Sequence, residues 1–261
     1  MKSIQPLPMT MQILAREDGS STAYCREPGA NPPGIVFLPG FRSDMGGTKA
    51  MALAEHCRAR EQPFLRFDYF GHGASSGDFR SGSIGRWTED ALAVIDELTE
   101  GPQILVGSSM GGWIALLAAL ARPGRIRGLI GIASAPDFTE DLIWNRLSAE
   151  QARRFKASGE LSAPSAYEPE LIPITYRLVE EGRRHLLLRR PIALACPVRL
   201  LHGMQDPDVP YQTSLRLAEN LPGTEVVVEL IEDGDHRLSR PEDLARLFAA
   251  VDGMTARVRT P

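Results

Sequence analysis

One segment of the chain has the residue types and spacing that nucleophilic catalysis needs. An apolar run typical of a strand enters a Gly-x-Ser-x-Gly pattern within Ile104–Gly112, and a helical segment follows at once. That is the setting of a serine nucleophile on a sharp strand-to-helix turn, where the residues two before and two after it must be small. Glycine fills both positions around Ser109. Around Ser108 they hold Val106 and Met110, so we predict Ser109 as the nucleophile.

A serine hydroxyl is a weak nucleophile and needs a base within hydrogen-bond reach. His236 is the predicted base, because it lies in a polar loop directly after the last apolar run, Val226–Ile231. The other late histidine, His202, precedes every candidate acid in the next loop. This does not fit the chain order of serine, acid and histidine that accompanies the motif. We expect His72, which precedes the nucleophile, to be structural.

The acid must orient the imidazole and stabilise the imidazolium that forms during the reaction. Two carboxylates, Asp206 and Asp208, follow the apolar run Val198–Leu201. The spacing from the end of this run favours Asp206, which makes Asp208 an ordinary loop carboxylate. Asp137, after the preceding predicted strand, is a third option.

Acyl transfer also requires two backbone N–H groups that already point at the developing oxyanion. Met110 directly follows the nucleophile and begins a helix, where backbone N–H groups are free to bind an anion. The second donor is expected in the loop after the strand Ile35–Leu38. There Gly40 permits a tight turn, and Phe41 is the predicted donor.

Composition and motifs exclude several other classes of function. The formal net charge is −4 and no basic run occurs, so nucleic acid is not an expected partner. No His-Glu-x-x-His motif or Cys/His cluster is present, and we predict neither a metal nor another cofactor. The three cysteines are far apart in the sequence, which is typical of reduced structural thiols.

The sequence also carries expectations about membranes and location. No apolar run reaches the roughly 18 residues of a membrane span. The first residues contain two prolines and an early acidic pair, Glu17 and Asp18, in place of a continuous apolar segment. They do not resemble a secretory leader, and we predict a cytoplasmic protein.

These residues need a scaffold, and the apolar pattern predicts one. Short apolar runs alternate with helix-length segments, which favours a mostly parallel sheet covered by helices on both faces. We predict an edge hairpin near Gln12–Cys25 and a single domain over residues 1–261. No clear strand is predicted from Asp137 to about Ala195, where two or three helices would form a lid of about residues 138–194. A flap that merely covers the sheet edge is the alternative.

Taken together, these segments resemble an α/β-hydrolase from residue 11 to about 252. Within that fold they are similar to the palmitoyl-protein thioesterases and acyl-glucuronide esterases of the α/β-hydrolase-domain family, which share the Pro39-Gly40 pair. The segments that carry the resemblance are Phe37–Phe41, Gly47–Ala50, Arg66–Tyr69, Gly101–Ser109, Gly111–Trp113, Arg199–Met204 and Asp235–Arg237. The resemblance implies an eight-stranded, mostly parallel sheet flanked by helices, with a helical lid insertion. It also implies a triad of Ser109, Asp206 and His236.

The expected activity is that of a serine hydrolase that forms an acyl-enzyme on Ser109. The resemblance implies acyl thioesters, as in protein S-depalmitoylation, or acyl glucuronides and other carboxylic esters, with a small-molecule or protein-bound acyl substrate. A basic set in the lid, which includes Arg183 and Arg189, could attract an anionic leaving group or be a solvated helix end. A generic carboxylesterase or lipase is the main alternative, and a hydrolase-fold binding protein without chemistry is another. The sequence does not predict the oligomeric state.

Overall fold

A computed structural model describes residues 10–163 and 171–259. Residues 1–9, half of the N-terminal segment on which the absence of a leader was argued, lie outside these ranges. The same holds for the prolines at positions 164 and 169.

A central sheet of eight strands organises the molecule. Its strand order is β1-β2-β4-β3-β5-β6-β9-β10, in which β1 and β2 form an antiparallel hairpin at one edge. From β4 to β10 neighbouring strands are parallel. This confirms the edge hairpin and the mostly parallel sheet. In chain order the strands are β1 (Gln12–Ala15), β2 (Ser21–Glu27), β3 (Gly34–Leu38), β4 (Phe64–Phe67), β5 (Gln103–Ser108), β6 (Ile126–Ile132), β7 (Glu160–Ala163), β8 (Ile172–Thr175), β9 (Val198–Gly203) and β10 (Val226–Ile231).

Helices cover both faces of this sheet, because its central strands are apolar on both sides. In β3 the side chains of Val36 and Leu38 pack on one face, in the same cluster as the apolar residues of α2 and α3. Ile35 and Phe37 pack on the opposite face, with α1 and α7. In the described residues no helix is both long enough and apolar enough to cross a bilayer. The helices are α1 (Thr48–Arg58), α2 (Ile84–Leu98), α3 (Met110–Ala121), α4 (Ala149–Ser158), α5 (Tyr176–Gly182), α6 (Gln212–Glu219) and α7 (Pro241–Arg259).

The insertion, which we define as the chain between β6 and β9, is only partly helical. It contains α4, α5 and short π- and 3₁₀-helical turns, but also an antiparallel hairpin of β7 and β8. The prediction that this region is helical and has no strand is therefore wrong for Glu160–Ala163 and for Ile172–Thr175. Ile172, Ile174 and Thr175 are β-branched and favour extended backbone, and Pro173 between them cannot donate to a helix. A helix forms only from Tyr176 onwards.

The parallel part of the sheet brings the predicted site residues to one edge. The strands β5, β9 and β10 run in the same direction and end at Ser108, Gly203 and Ile231. Loops that leave the carboxyl ends of parallel strands meet at one edge of the sheet, where α/β proteins place their sites. The three loops that follow these strands carry Ser109, Asp206 and His236.

Candidate active site

Ser109 occupies a strained turn between β5 and α3. Its backbone has φ 54° and ψ −118°, a conformation that non-glycine residues rarely adopt. A Cβ atom on Gly107 would lie 2.3 Å from the carbonyl oxygen of Gly111, and one on Gly111 would lie 2.1 Å from that of Leu38. Both glycines are therefore required by the close approach of strand, turn and helix. The steric rule that selected Ser109 over Ser108 has this physical basis.

The three predicted triad side chains form one hydrogen-bonded chain. Ser109 Oγ lies 3.1 Å from Nε2 of His236, and Nδ1 of the same ring lies 2.7 Å from Oδ2 of Asp206. The Asp206 side chain is fully buried and that of His236 is 16% exposed. Because a carboxylate only accepts, Nδ1 carries the proton and Nε2 can accept the proton of Ser109. This is the arrangement that activates a serine hydroxyl.

Groups other than the His236 imidazole also bind Asp206. Its Oδ1 accepts the backbone N–H groups of Asp208 and Val209, each at 2.8 Å. Burial alone would raise the pKa of Asp206, but hydrogen bonds from His202 and His236 outweigh it, so the pKa lies below its usual value. The carboxylate therefore stays ionised beside His236 at neutral pH.

Sequence reasoning missed the part that His202 plays here. The ring is fully buried, with Nε2 3.3 Å from Oδ2 of Asp206 and 3.0 Å from the carbonyl oxygen of Val209. Its Nδ1 lies 2.7 Å from Oγ of Ser214. Chain order excluded His202 as the base, but its position at the end of β9, four residues before Asp206, was a signal of proximity to the acid.

The two alternative acids have other surroundings. Asp208 is exposed and lines the cavity over Ser109. Asp137 is buried and its two oxygens accept the backbone N–H groups of Leu187 and Leu188, at 2.7 and 2.9 Å. Asp137 thus ties the beginning of the insertion to its end.

The predicted oxyanion donors flank the nucleophile. A Cβ atom on Gly40 would lie 3.4 Å from Cβ of Ser109, so the loop after β3 runs directly against the serine. Gly40 begins a turn that is closed by the N–H of Ser43, which donates to the Gly40 carbonyl oxygen at 3.1 Å. Phe41 and Met110 line the same cavity as Ser109. Met110 is the first residue of α3, where backbone N–H groups have no intrahelical acceptor.

A cavity of about 410 Å³ lies over these groups. Side chains from the oxyanion turn and the insertion form its apolar wall: Phe41, Phe138, Leu142, Ile143, Ile172 and Ile174. The cations Lys49, Arg146 and Arg237 also line it, together with the carboxylate of Asp208. Within the described part of the chain, the cavity lining thus combines an apolar wall with more cations than acids.

Two of the basic residues that the sequence suggested for an anionic leaving group are engaged elsewhere. Arg183 donates to Glu140 at 2.7 Å, and Arg189 is paired with Asp141. Neither belongs to the cavity lining, whereas Arg146, which the sequence did not single out, does.

One group of potential metal ligands coincides with the triad. Asp206, Asp208 and His236 present oxygen and nitrogen atoms within 4.8 Å of one another. Since Nδ1 of His236 is already bonded to Asp206, this proximity follows from the hydrogen-bonded pair, and we assign no metal to it.

A family model described as the alpha/beta hydrolase family matches residues 35–247. The matched range contains the eight-stranded sheet from β3 onwards, the turn at Ser109 and the loops of Asp206 and His236. The chain belongs to the α/β-hydrolase family. Its hydrolase fold and the predicted resemblance are thereby confirmed.

Individual members of the family are similar to this α/β-hydrolase over nearly its whole length. The mitochondrial palmitoyl-protein thioesterase of Rattus norvegicus is 42% identical over 252 residues, which cover 96% of this chain and 84% of the rat protein. The structure of alpha/beta hydrolase domain-containing protein 10 from mouse matches with a TM-score of 0.90 and 40% identity, covering 95% of this chain and 99% of that one. A hydrolase from Agrobacterium vitis S4 matches with a TM-score of 0.90 and 42% identity, covering 96% and 100%.

The expected cytoplasmic location is contradicted by these relatives. The rat, mouse, cattle and human thioesterases, which are 40–42% identical to this α/β-hydrolase, are all named mitochondrial. The prediction was wrong because it rested on the composition of the first residues.

Proposed function

We propose that this α/β-hydrolase cleaves acyl thioesters through an acyl-enzyme on Ser109, with His236 as base and Asp206 as orienting acid. The observation that carries the proposal is the hydrogen-bonded chain from Ser109 Oγ to His236 and on to Asp206 at the base of the cavity. The thioester class is supported by the similarity to the rat relative, which is a palmitoyl-protein thioesterase.

In the acylation half-reaction His236 removes the proton of Ser109 as Oγ attacks the thioester carbonyl carbon. The carbonyl oxygen becomes an oxyanion, which the N–H groups of Met110 and Phe41 stabilise. Asp206 keeps the imidazolium in place and compensates its charge. When the intermediate collapses, the C–S bond breaks and His236 returns the proton to the departing sulfur.

In the deacylation half-reaction water takes the place of the thiol. His236 accepts a proton from this water, whose oxygen attacks the acyl carbon of the ester on Ser109. A second oxyanion forms in the same pocket and collapses, which releases the carboxylic acid and returns the proton to Ser109 Oγ. Each half-reaction begins and ends with a neutral imidazole.

The cavity supports an acyl group of aliphatic character. Leu142 and Ile143 from the start of the insertion, and Ile172 and Ile174 from β8, form an apolar wall opposite the catalytic side chains. Apolar walls with a few polar groups are typical of small-molecule sites. We therefore propose that the insertion, predicted as a lid over residues 138–194, binds the acyl chain.

Acyl glucuronides are a second candidate substrate, favoured by the charge at the cavity. Among the described residues that line the cavity, Lys49, Arg146 and Arg237 outnumber the single acid, Asp208. A carboxylate on the leaving group would be attracted to such a site. A thiolate or a glucuronate oxygen is also a better leaving group than an amine.

The test is to measure kcat/KM for a palmitoyl or octanoyl thioester, an acyl glucuronide and a neutral ester of matched chain length. We expect one of the first two to be the best substrate. A neutral ester better by tenfold or more, about 1.4 kcal/mol of transition-state free energy, would favour a generic carboxylesterase. Labelling of Ser109 by a fluorophosphonate, with the Ser109→Ala variant as control, distinguishes an enzyme from a binding protein.

A further inference from the structure

The turn that carries the predicted oxyanion donor Phe41 is held at the two peptide planes on either side of that residue. The Gly40 carbonyl and the Phe41 N–H belong to one trans peptide and point in opposite directions. Ser43 N–H donates to Gly40 O, and this bond restrains the peptide that carries the Phe41 N–H. The next peptide joins Phe41 to Arg42, and its N–H donates to Nε2 of His72 at 3.1 Å.

The second of these peptides is in a strained arrangement. Arg42 has φ 59°, in the left-handed region that favours glycine. A turn with positive φ only at its third residue corresponds to type II, whereas the type I turn has its middle peptide flipped and suits any residue. If no group accepted the Arg42 N–H, the Gly40–Ser43 turn would therefore relax towards type I.

The ring of His72 has the correct protonation state for this bond. Its Nδ1 lies 3.2 Å from the carbonyl oxygen of Phe70, which also accepts Nε1–H of Trp87. A carbonyl oxygen only accepts, so Nδ1 carries the proton and Nε2 offers a lone pair to Arg42. Burial lowers the pKa of His72 to about 4, so the ring is neutral at physiological pH. A flipped peptide would turn the Phe41 carbonyl towards this lone pair.

A second residue of the same loop holds the segment that follows. Asp68, at the end of β4, accepts the N–H of Met45 at 2.6 Å and that of Ala74 at 2.8 Å. The loop of residues 68–76 thus contacts the oxyanion segment at Arg42 and at Met45. The two contacts flank the stretch directly after Phe41.

We propose that His72 is a positioning residue for the oxyanion site, because its bond to the Arg42 N–H holds the strained peptide directly after Phe41. It thereby keeps the Gly40–Ser43 turn, which carries the Phe41 N–H, in place beside Ser109. The inference rests on the proposed function and adds a requirement outside the triad. His72 acts through Arg42 and does not touch the substrate. Its loss is expected to weaken transition-state stabilisation and to leave ground-state binding intact.

Two substitutions separate this role from simple packing. His72→Gln places an amide oxygen near the position of Nε2 and can still accept from Arg42, whereas His72→Leu fills the space without an acceptor. Ser76→Ala is the matched control, because Ser76 Oγ accepts the N–H of Ser21 at 2.7 Å on the sheet side of the same loop. We expect kcat to fall about ten- to hundredfold in His72→Leu, less than the loss of a whole donor. KM should be unchanged, and His72→Gln and the control should stay within about threefold of wild type.

The affinity of an alkyl trifluoromethyl ketone measures stabilisation by the oxyanion site directly. Ser109 Oγ adds to its carbonyl carbon, the proton passes to His236, and the ketone oxygen becomes the bound oxyanion. His72→Leu should weaken this inhibitor by the same factor as kcat and leave the fatty alcohol of equal length unaffected. Equal weakening of both ligands, or wild-type values for both in His72→Leu, would overturn the proposal.

The outcome is informative even if one variant or the proposed function fails. Should His72→Leu not fold, His72→Asn replaces it, since its amide lies near the Nδ1 position and cannot reach Arg42. Wild-type activity in His72→Asn would contradict the inference. A wild-type protein that does not cleave thioesters would refute the proposed function, and the ratio of ketone to alcohol binding would still decide the role of His72.

Discussion

Ser108 and Ser109 are adjacent and chemically identical, yet only one sits at the strained turn with its Oγ bonded to His236. Replacing Ser109 by Ala should abolish fluorophosphonate labelling and reduce kcat by about 10⁴-fold or more. Ser108→Ala should keep kcat within roughly tenfold. The measurement is gel labelling with parallel thioester kinetics. Robust turnover by the Ser109→Ala protein would remove the proposed nucleophile.

The neighbouring acids Asp206 and Asp208 provide a second matched pair. Asp206→Asn should lower kcat by about 10⁴-fold, because an amide at this position favours the wrong tautomer of His236. Asp208→Asn should change kcat by less than about threefold, since Asp208 is exposed and is not bonded to the ring. Steady-state kinetics of both variants give the answer, and the reverse order would make Asp208 the acid.

The lowered pKa of Asp206 has a consequence for acid stability. Between its folded value and the unfolded value of about 3.9, the unfolded chain binds one more proton than the folded one. Ionisation of Asp206 therefore stabilises the fold above about pH 4, and this is lost as pH falls. Urea unfolding should be measured from pH 5 to pH 2.5. Over this range the free energy of unfolding of the wild type should fall by up to about 1.4 kcal/mol per pH unit more than that of Asp206→Asn. Parallel curves for the two proteins would contradict this.

At the scale of elements, strand β5 and helix α3 meet at a distance that only glycine allows. Gly111→Ala would put a Cβ atom 2.1 Å from the Leu38 carbonyl oxygen, and backbone must move to relieve it. We expect a loss of about 2–4 kcal/mol in the free energy of unfolding and more than hundredfold in kcat. Gly124→Ala, where no atom lies within 4 Å, is the control and should stay within about 0.5 kcal/mol.

These elements also show what the sequence could and could not predict. Local rules were sufficient where one peptide segment decides the geometry, as at Ser109, Gly107 and Gly111. The placement of His202 against Asp206 was not predicted. The chain order of the triad indicates only which histidine can be the base, and it gives no information on other roles. The hairpin of β7 and β8 was missed because the charged, helix-like composition of the insertion was given more weight than the β-branched residues and Pro173 of β8, which favour a strand.

At the scale of the whole molecule, the three cysteines report on the integrity of the core. Cys25, Cys57 and Cys196 are free and buried, and burial raises the pKa of Cys57 to about 12 and that of Cys196 to about 11. Iodoacetamide should therefore leave the activity of the native protein intact, and all three thiols should react only in denaturant. The check is thiol titration before and after unfolding, with activity followed in parallel. Inactivation in step with modification of the native protein would contradict it.

The position of Asp137 marks a boundary at which the segment that lines the cavity can be exchanged. Its carboxylate binds Leu187 and Leu188 and closes the neck of the insertion, so that about fifty residues leave and re-enter the scaffold at nearly one point. The nucleophile, acid and base all lie in the scaffold outside this segment. The segment can therefore be replaced in evolution while the nucleophile, acid and base stay unchanged. A chimaera that carries the corresponding segment of a relative should keep fluorophosphonate labelling while its preference for acyl-chain length follows the donor.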